Sequence, residues 1–262
     1  MVEKMRQGTE DQDNGFENMQ QTNIGILGAQ GHFGQSLAKR LDEIKPPEMR
    51  VTGTVDKNHN PEIASRSDLV IITVQPQHLT ALAADIHQTL KPRAQILSFA
   101  VGVPMKSIRD ITGRPVARAM ADPWWNYMGY VKGLDFDECN YRWIFERLGK
   151  RNIIFDDEQR FDAFTPGITH LYTTLLYSKV HPDMDVAEHL KYLAWLFHSY
   201  PQELLATAPK GEPDELLKKM ATKGGVTEAA LHALNDNPRI SPEELSEAIT
   251  RRQEEIKKRV LS

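Results

Sequence analysis

A chain of 262 residues, 40% of them hydrophobic and 26% charged, is long enough for one or two domains with a sizeable core and has the composition of a globular protein. Its formal net charge of -4 provides no basic surface for nucleic acid or an anionic membrane, and no apolar run approaches the roughly 20 residues that span a bilayer. The single Cys139 excludes an internal disulfide, so the expected setting is a reducing cytoplasm.

Residues 1–22 are polar, mixed in charge and without the apolar core of a signal peptide, and read as a flexible extension. Ile24, Ile26 and Leu27 then form a short buried strand. Gly28-Ala29-Gln30-Gly31-His32-Phe33-Gly34 follows at once, and Phe33, Leu37, Leu41 and Ile44 recur at helical spacing. Strand, glycine turn and helix in this order are the context of a dinucleotide-binding fingerprint, here spaced Gly-x-x-Gly-x-x-Gly. Gly28 permits the tight turn, Gly31 lets the backbone approach a pyrophosphate, and Gly34 permits close helix–strand packing. The expected cofactor contacts on this turn are Gly28, Gln30, Gly31, His32 and Phe33. His32 reads as an exposed loop residue, neither catalyst nor metal ligand.

Arg50 to Val55 reads as the second strand and ends in Asp56-Lys57. An acidic residue there can bond the ribose hydroxyls of NAD, and Lys57 can instead meet the 2′-phosphate of NADP, so either NADPH or NADH fits. Only about a dozen residues separate Asp56 from the strand Leu69–Val74, and part of a helix–strand unit is expected to be trimmed away. Val74, Gln75 and Pro76 stand at the end of that strand. A helix marked by Leu79, Leu82, Ile86 and Leu90, a strand Ile96–Phe99, a short helix Met105–Ile111 and a strand Val116–Ala119 follow. Cys139 reads as a packing residue in a helix reaching Leu148. Asn152–Phe155 closes the first unit.

From Asp156 onward the pattern is wholly helical. Phe161 to Val180 forms one helix around Gly167 and His170. Val186, Leu190, Leu193, Phe197 and Tyr200 continue at helical spacing until Pro201. Leu245, Ile249, Ile256 and Val260 mark the last helix, with acids early and bases late, as its dipole favours. Between them lies Met220-Ala221-Thr222-Lys223-Gly224-Gly225-Val226-Thr227, running into a helix with Ala230, Leu231 and Leu234. Adjacent glycines take backbone angles closed to other residues. The helix start behind them offers the N–H groups of Gly225, Val226 and Thr227 to a carboxylate. The Thr227 hydroxyl is placed to touch the same ligand. The competing reading is a plain Gly-Gly turn with Thr227 near a cap.

From Pro213 through Leu216, Met220, Gly225, Thr227, Ala230 and Leu234 to Asn235, this stretch resembles the signature of pyrroline-5-carboxylate reductases, which reduce a cyclic imine to proline. The family core is Ser-Pro-Gly-Gly-x-Thr. Here Thr222 stands for the serine and Lys223 for the proline, while the glycines and the threonine are kept. The resemblance extends more weakly to other stretches. Gln75-Pro76-Gln77 is similar to a Lys-Pro-Gln turn beneath the cofactor. Ala100-Val101-Gly102-Val103 is similar to an Ala-Ala-Gly-Val loop. Arg118-Ala119-Met120 matches the start of Arg-Ala-Met-Pro-Asn-Thr-Pro. After Met120 the chain departs: Asp122 lies near the asparagine position, and Trp124, Trp125 and Tyr127 replace small residues. That leaves a reshaped substrate pocket or an aromatic cluster packed between domains. His170 fills the place of a small-residue run and is either a pocket residue or a satisfied core histidine.

The resemblance implies an α/β fold, a Rossmann-type dinucleotide-binding domain at 23–156 followed by an all-helical dimerisation and substrate domain at 157–262. It implies a homodimer or a multiple of one. Thr227 is the expected catalytic residue, hydrogen-bonded to the ring nitrogen. Thr222, Gly224, Gly225, Val226, Asp122 and His170 are the expected substrate contacts. Hydride transfer to a C=N carbon is carried by the cofactor, and no metal is required. Two alternatives stay open: a related reductase of another imine or carbonyl, and a non-catalytic homologue that binds nucleotide and a protein partner.

Overall fold

A computed structural model describes residues 22–54 and 56–261. The reading of residues 1–22 as an extension falls outside them but for Thr22, as does Val55 at the expected end of the second strand. Seven strands are described: β1 Asn23–Leu27, β2 Arg50–Gly53, β3 Leu69–Ile72, β4 Gln95–Ser98, β5 Val116–Ala121, β6 Tyr127–Lys132 and β7 Arg151–Ile154. They form one sheet in the order β2-β1-β3-β4-β5-β6-β7. The first five are parallel, β6 runs antiparallel to β5, and β7 is parallel to β6.

β3 and β4 are buried along their whole length, which is why β3 reads as an unbroken apolar run instead of an alternating one. The crossovers α1 His32–Ile44, α2 Asn60–Arg66, α3 Pro76–Ile86 and α4 Met105–Thr112 cover both faces. Leu37 and Leu41 of α1 pack on one face with Ile24, Ile26, Leu69 and Ile71. Ala64, Leu79, Ile86 and Ile108 of the other three helices pack on the opposite face with Leu27, Val70 and Ile96. The chain leaves β1 toward β2 and returns past it to β3, so the direction reverses between β1 and β3. That crevice, at the carboxyl ends of the strands, is where open α/β sheets bind ligands. The trimmed unit kept its helix, α2, and lacks the further strand: β2 is the edge of the sheet among the described residues.

Three expectations are corrected. β6 was not foreseen, because the Trp-rich run before it masks the turn at Asp122–Asn126. Cys139 is exposed and lies in a 3-10 turn before the short helix α5 Arg142–Arg147, so it is not a packing residue. The helix from Val186 ends at Ala194, where Ser199 N–H reaches back to Ala194 O and His198 adopts a φ of 47°.

The remaining helices are α6 Glu158–Tyr177, α7 Val186–Ala194, α8 Pro201–Leu205, α9 Pro213–Met220, α10 Val226–Asp236 and α11 Pro242–Leu261. Nearly every residue of α6 after Asp162 is buried, because β6, α7, α9, α10 and α11 all pack against it. A Cβ on Gly167 would collide with Leu196 Cδ2, so this glycine sets how closely the end of α7 approaches. α11 packs back across the loop after β4: the space at Gly102 is closed by Gln253 and Lys257.

Candidate active site

β1 ends at Leu27 and turns through Gly28, whose φ of 95° lies in the left-handed region. Gly28 N–H donates to Thr54 Oγ1 beyond β2, and Thr73 Oγ1 beyond β3 donates to Leu27 O at 3.0 Å. The turn is thereby tied to both strands that flank β1. Gly31 N–H closes it on Gly28 O at 3.1 Å. Gly31 is the N-cap of α1, with no side-chain cap and no acidic residue in the first turn. The N–H groups of His32 and Phe33 therefore point outward at the positive end of the helix dipole. A Cβ on Gly31 would come no closer than 3.5 Å to Gly28 O, whereas one on Gly34 would collide with Gly28 O and Ala29 Cα. The first glycine leaves room above the turn and the second lets α1 approach it. A diphosphate fits this cradle.

The other expected cofactor residues lie around the same crevice. Gln30 and His32 are exposed. Phe33 is half-buried, its ring 5.1 Å from Phe99 and 5.5 Å from Trp125. Asp56 is exposed beyond β2; its carboxylate accepts Asn58 N–H at 3.0 Å, which holds it below the usual carboxylate range. Lys57 is exposed beside it. Val74 lies against Gly28, Gln75 is the N-cap of α3, and Pro76 is its first residue.

The Gly224–Gly225 turn has the expected form with one change in its donors. Gly224 takes a φ of 71°, and Arg252 of α11 clamps its carbonyl with Nε and Nη2 at 2.9 and 2.6 Å. Gly224 N–H donates to Glu228 Oε2 at 2.7 Å. Gly225 N–H donates to Thr222 O at 2.7 Å, so it is closed within the turn. The open donors at the start of α10 are then Val226, Thr227 and Glu228, since Gly225 offers no side-chain cap. Thr222 is exposed, and Val226 and Thr227 are buried. Among the described residues the Thr227 hydroxyl has no hydrogen-bond partner, although the residue is only 8% exposed. Val101, in the loop after β4, packs against the cluster of Tyr177, Val226, Ala230 and Leu234, so α10 lies toward the carboxyl edge of the sheet.

The remaining two candidates do not face this turn. Asp122 closes the β5–β6 connection, where Oδ1 accepts Trp124 N–H at 2.9 Å and Oδ2 accepts Tyr127 N–H at 2.6 Å. Burial pushes its carboxyl up to about 6 against the pull of those two donors. Trp125, in the same turn, has a φ of 58°; its indole packs on Phe33 and donates to Ser36 Oγ at 3.1 Å. Trp124 packs on Tyr172 of α6. One indole thus reaches the glycine turn and the other joins sheet to helices.

His170 is enclosed in the helical core. Its Nε2 is 2.7 Å from His189 Nδ1, and its Nδ1 is 3.0 Å from Ser246 Oγ. His189 Nε2 lies 3.1 Å from Ile240 O, which can only accept. His189 therefore carries its proton on Nε2, His170 donates from Nε2, and Ser246 donates to His170 Nδ1. Both rings are neutral in this chain of bonds, and burial holds both below the ordinary imidazole value. The unfolded chain takes up protons as pH falls through about 6.5, and the folded chain does not. The stabilisation is whole above that value and is lost below it. The melting temperature should fall as pH is lowered from about 7 to about 5, with the Asp122 shift, opposite in sign, softening the slope below about 6. Ring nitrogen shifts measured by NMR should show His170 neutral at pH 5.

Sequence reasoning missed His189, which shares no helix face or motif with His170. It also assigned no role to Arg118, where a visible signal existed: a charged residue inside the apolar run Val116–Ala119. Arg118 is 1% exposed and meets Glu158 Oε1 at 2.7 Å and Asp162 Oδ1 at 2.8 Å, pinning the first turns of α6 to β5.

No protein-family model matches the chain. It is 27% identical over 195 residues to a pyrroline-5-carboxylate reductase of Pseudomonas aeruginosa, covering 68% of this chain and 70% of that protein. Among solved structures, pyrroline carboxylate reductase of Plasmodium falciparum, described with NADP bound, superposes with a TM-score of 0.54 at 13% identity, over 92% of this chain and 99% of that one. A pyrroline-5-carboxylate reductase of Coxiella burnetii gives 0.52 at 17% identity, over 91% and 98%. The chain thus shares the fold of these solved structures and is similar in sequence, over about two thirds of both chains, to a pyrroline-5-carboxylate reductase.

Proposed function

We propose that the chain is an NAD(P)H-dependent reductase of a cyclic imine, with 1-pyrroline-5-carboxylate as substrate and proline as product. The observation that carries this reading is the start of α10: uncapped backbone N–H groups beside the hydroxyl of Thr227, which bonds nothing within the described chain. In this reading Val226, Thr227 and Glu228 N–H hold the substrate carboxylate, and Thr227 Oγ accepts the proton-bearing ring nitrogen. The Arg252 clamp on Gly224 keeps the turn in shape. The glycine turn at Gly28–Gly31 holds the dinucleotide diphosphate on α1, with Asp56 or Lys57 toward the ribose. The nicotinamide, when bound, supplies the hydride for the C=N carbon.

The division into a cofactor unit at 23–156 and a helical unit at 157–262 belongs to the same proposal, as does assembly into a homodimer. Exposed Val180, Trp195, Tyr200 and Leu205 all lie in the helical half, which favours that assembly. Light scattering at micromolar concentration should give a dimer or larger, and a stable monomer would count against a shared helical interface. The activity is tested by following NADPH and NADH oxidation with pyrroline-5-carboxylate. The Trp125 indole beside Phe33 favours a second reading, a reductase of another imine or a carbonyl, because it crowds the space next to the glycine turn. Turnover of such a compound with none of pyrroline-5-carboxylate would shift the assignment to it.

A further inference from the structure

The first turn of α1 has little of its own to hold it. Gly31 caps it without a side chain, no acidic residue stands in it, and Gln35 N–H closes it on Gly31 O at 2.9 Å. The outward N–H groups of His32 and Phe33 serve a diphosphate only while this turn keeps its place. A side chain from far along the sequence supplies that restraint. The Trp125 indole packs on Phe33 at 5.5 Å and donates from Nε1 to Ser36 Oγ at 3.1 Å. Phe33 and Ser36 are neighbours on one face of α1, so the indole spans its first turn. The Phe33 ring also meets Phe99, just beyond β4, at 5.1 Å.

The turn that carries Trp125 is itself fixed. Its φ of 58° lies in the left-handed region, which a bulky residue takes only where its surroundings force it. Trp125 N–H donates to Asp122 O at 3.1 Å, and its carbonyl accepts Lys150 N–H at 2.8 Å. The Asp122 carboxylate takes the N–H groups of Trp124 and Tyr127 on either side. Strands β5 and β6 anchor the turn at both ends. Trp125 is 9% exposed, so its ring is packed into the protein and is not offered to a ligand.

We infer that Trp125 is a positioning residue for the dinucleotide: it holds the start of α1 so that the diphosphate meets N–H groups already in place. It acts through Phe33 and Ser36 and touches no ligand itself. The inference rests on the reading of the Gly28–Gly31 turn as a dinucleotide cradle, and it uses neither the imine nor Thr227.

The test is calorimetry on the whole chain with each cofactor and its nicotinamide-free counterpart, NADPH against 2′-phospho-ADP-ribose and NADH against ADP-ribose. Trp125→Ala should weaken both members of a pair alike, by about three- to tenfold, the range for one or two side chains that must be ordered on binding. Hydrogen exchange at the Gln35 amide of the free protein should quicken. Where Trp125→Ala fails to fold, Ser36→Ala carries the test, since it removes only the acceptor and alanine is the better helix former. It should weaken both members of a pair about two- to threefold and quicken Gln35 exchange, with the melting temperature unchanged or higher. A merely structural contact would not give that combination. Unchanged affinity in the folded variant overturns the inference. So does a loss confined to NADPH and NADH, which would set the indole against the nicotinamide and not behind the cradle. The reductase reading survives both results. No binding of any of the four compounds to the unaltered chain would overturn the cradle and this inference together.

Discussion

Replacing Gly31 by valine is expected to abolish dinucleotide binding and to leave the melting temperature nearly unchanged. The two halves of that result come from the same geometry. Gly31 has a φ of -68° and a ψ of 155°, which any residue adopts, and a Cβ there touches nothing closer than 3.5 Å. The valine side chain therefore enters open space, and that space is where a diphosphate would lie on the start of α1. Affinity for NADPH and NADH, measured by calorimetry, should fall at least tenfold, about 1.4 kcal/mol or more. Gly34→Ala is the control with the opposite pattern. Its methyl collides with Gly28 O and Ala29 Cα, so it should lose about 1–3 kcal/mol of stability through overpacking. Unchanged affinity in Gly31→Val would mean that the turn is structural only.

Thr227→Val should lower kcat/KM with the imine by roughly 10- to 150-fold, from the 1.5–3 kcal/mol carried by one hydrogen bond to a charged partner. Cofactor affinity should hold, since Thr227 lies on α10 and not on the glycine turn of α1. Stability should hold as well, because the hydroxyl bonds nothing within the described chain and valine has nearly the same shape. A capping threonine would behave in the reverse way, losing about 1 kcal/mol of stability and keeping its turnover. Steady-state rates and melting temperatures on one preparation separate the two outcomes.

Local chemistry was legible in the sequence wherever it depends on residues a few positions apart. The apolar runs at Ile24–Leu27 and Leu69–Ile72, the glycine spacing at 28, 31 and 34, and the periodicity of α1, α3, α6 and α11 led directly to elements and to the α/β fold. The Gly224–Gly225 turn was legible for the same reason, since a left-handed glycine before a helix start is a local event. Its donor set was not, because whether Gly225 N–H is open depends on where Thr222 O comes to rest.

What only the tertiary structure decided are relations between residues far apart in the chain. β6 is held in the sheet because β7, beyond α5, comes back to pair with its free edge. His170 became a neutral core residue because α7 and α11 bring His189 and Ser246 to its two ring nitrogens. Arg118 is buried because α6 starts with two acids at the height of β5. None of these has a period or a spacing. Each follows from how packing carries one element past another, and burial then decides which side chains are neutral, which are paired and which, like Thr227, keep a free hydroxyl.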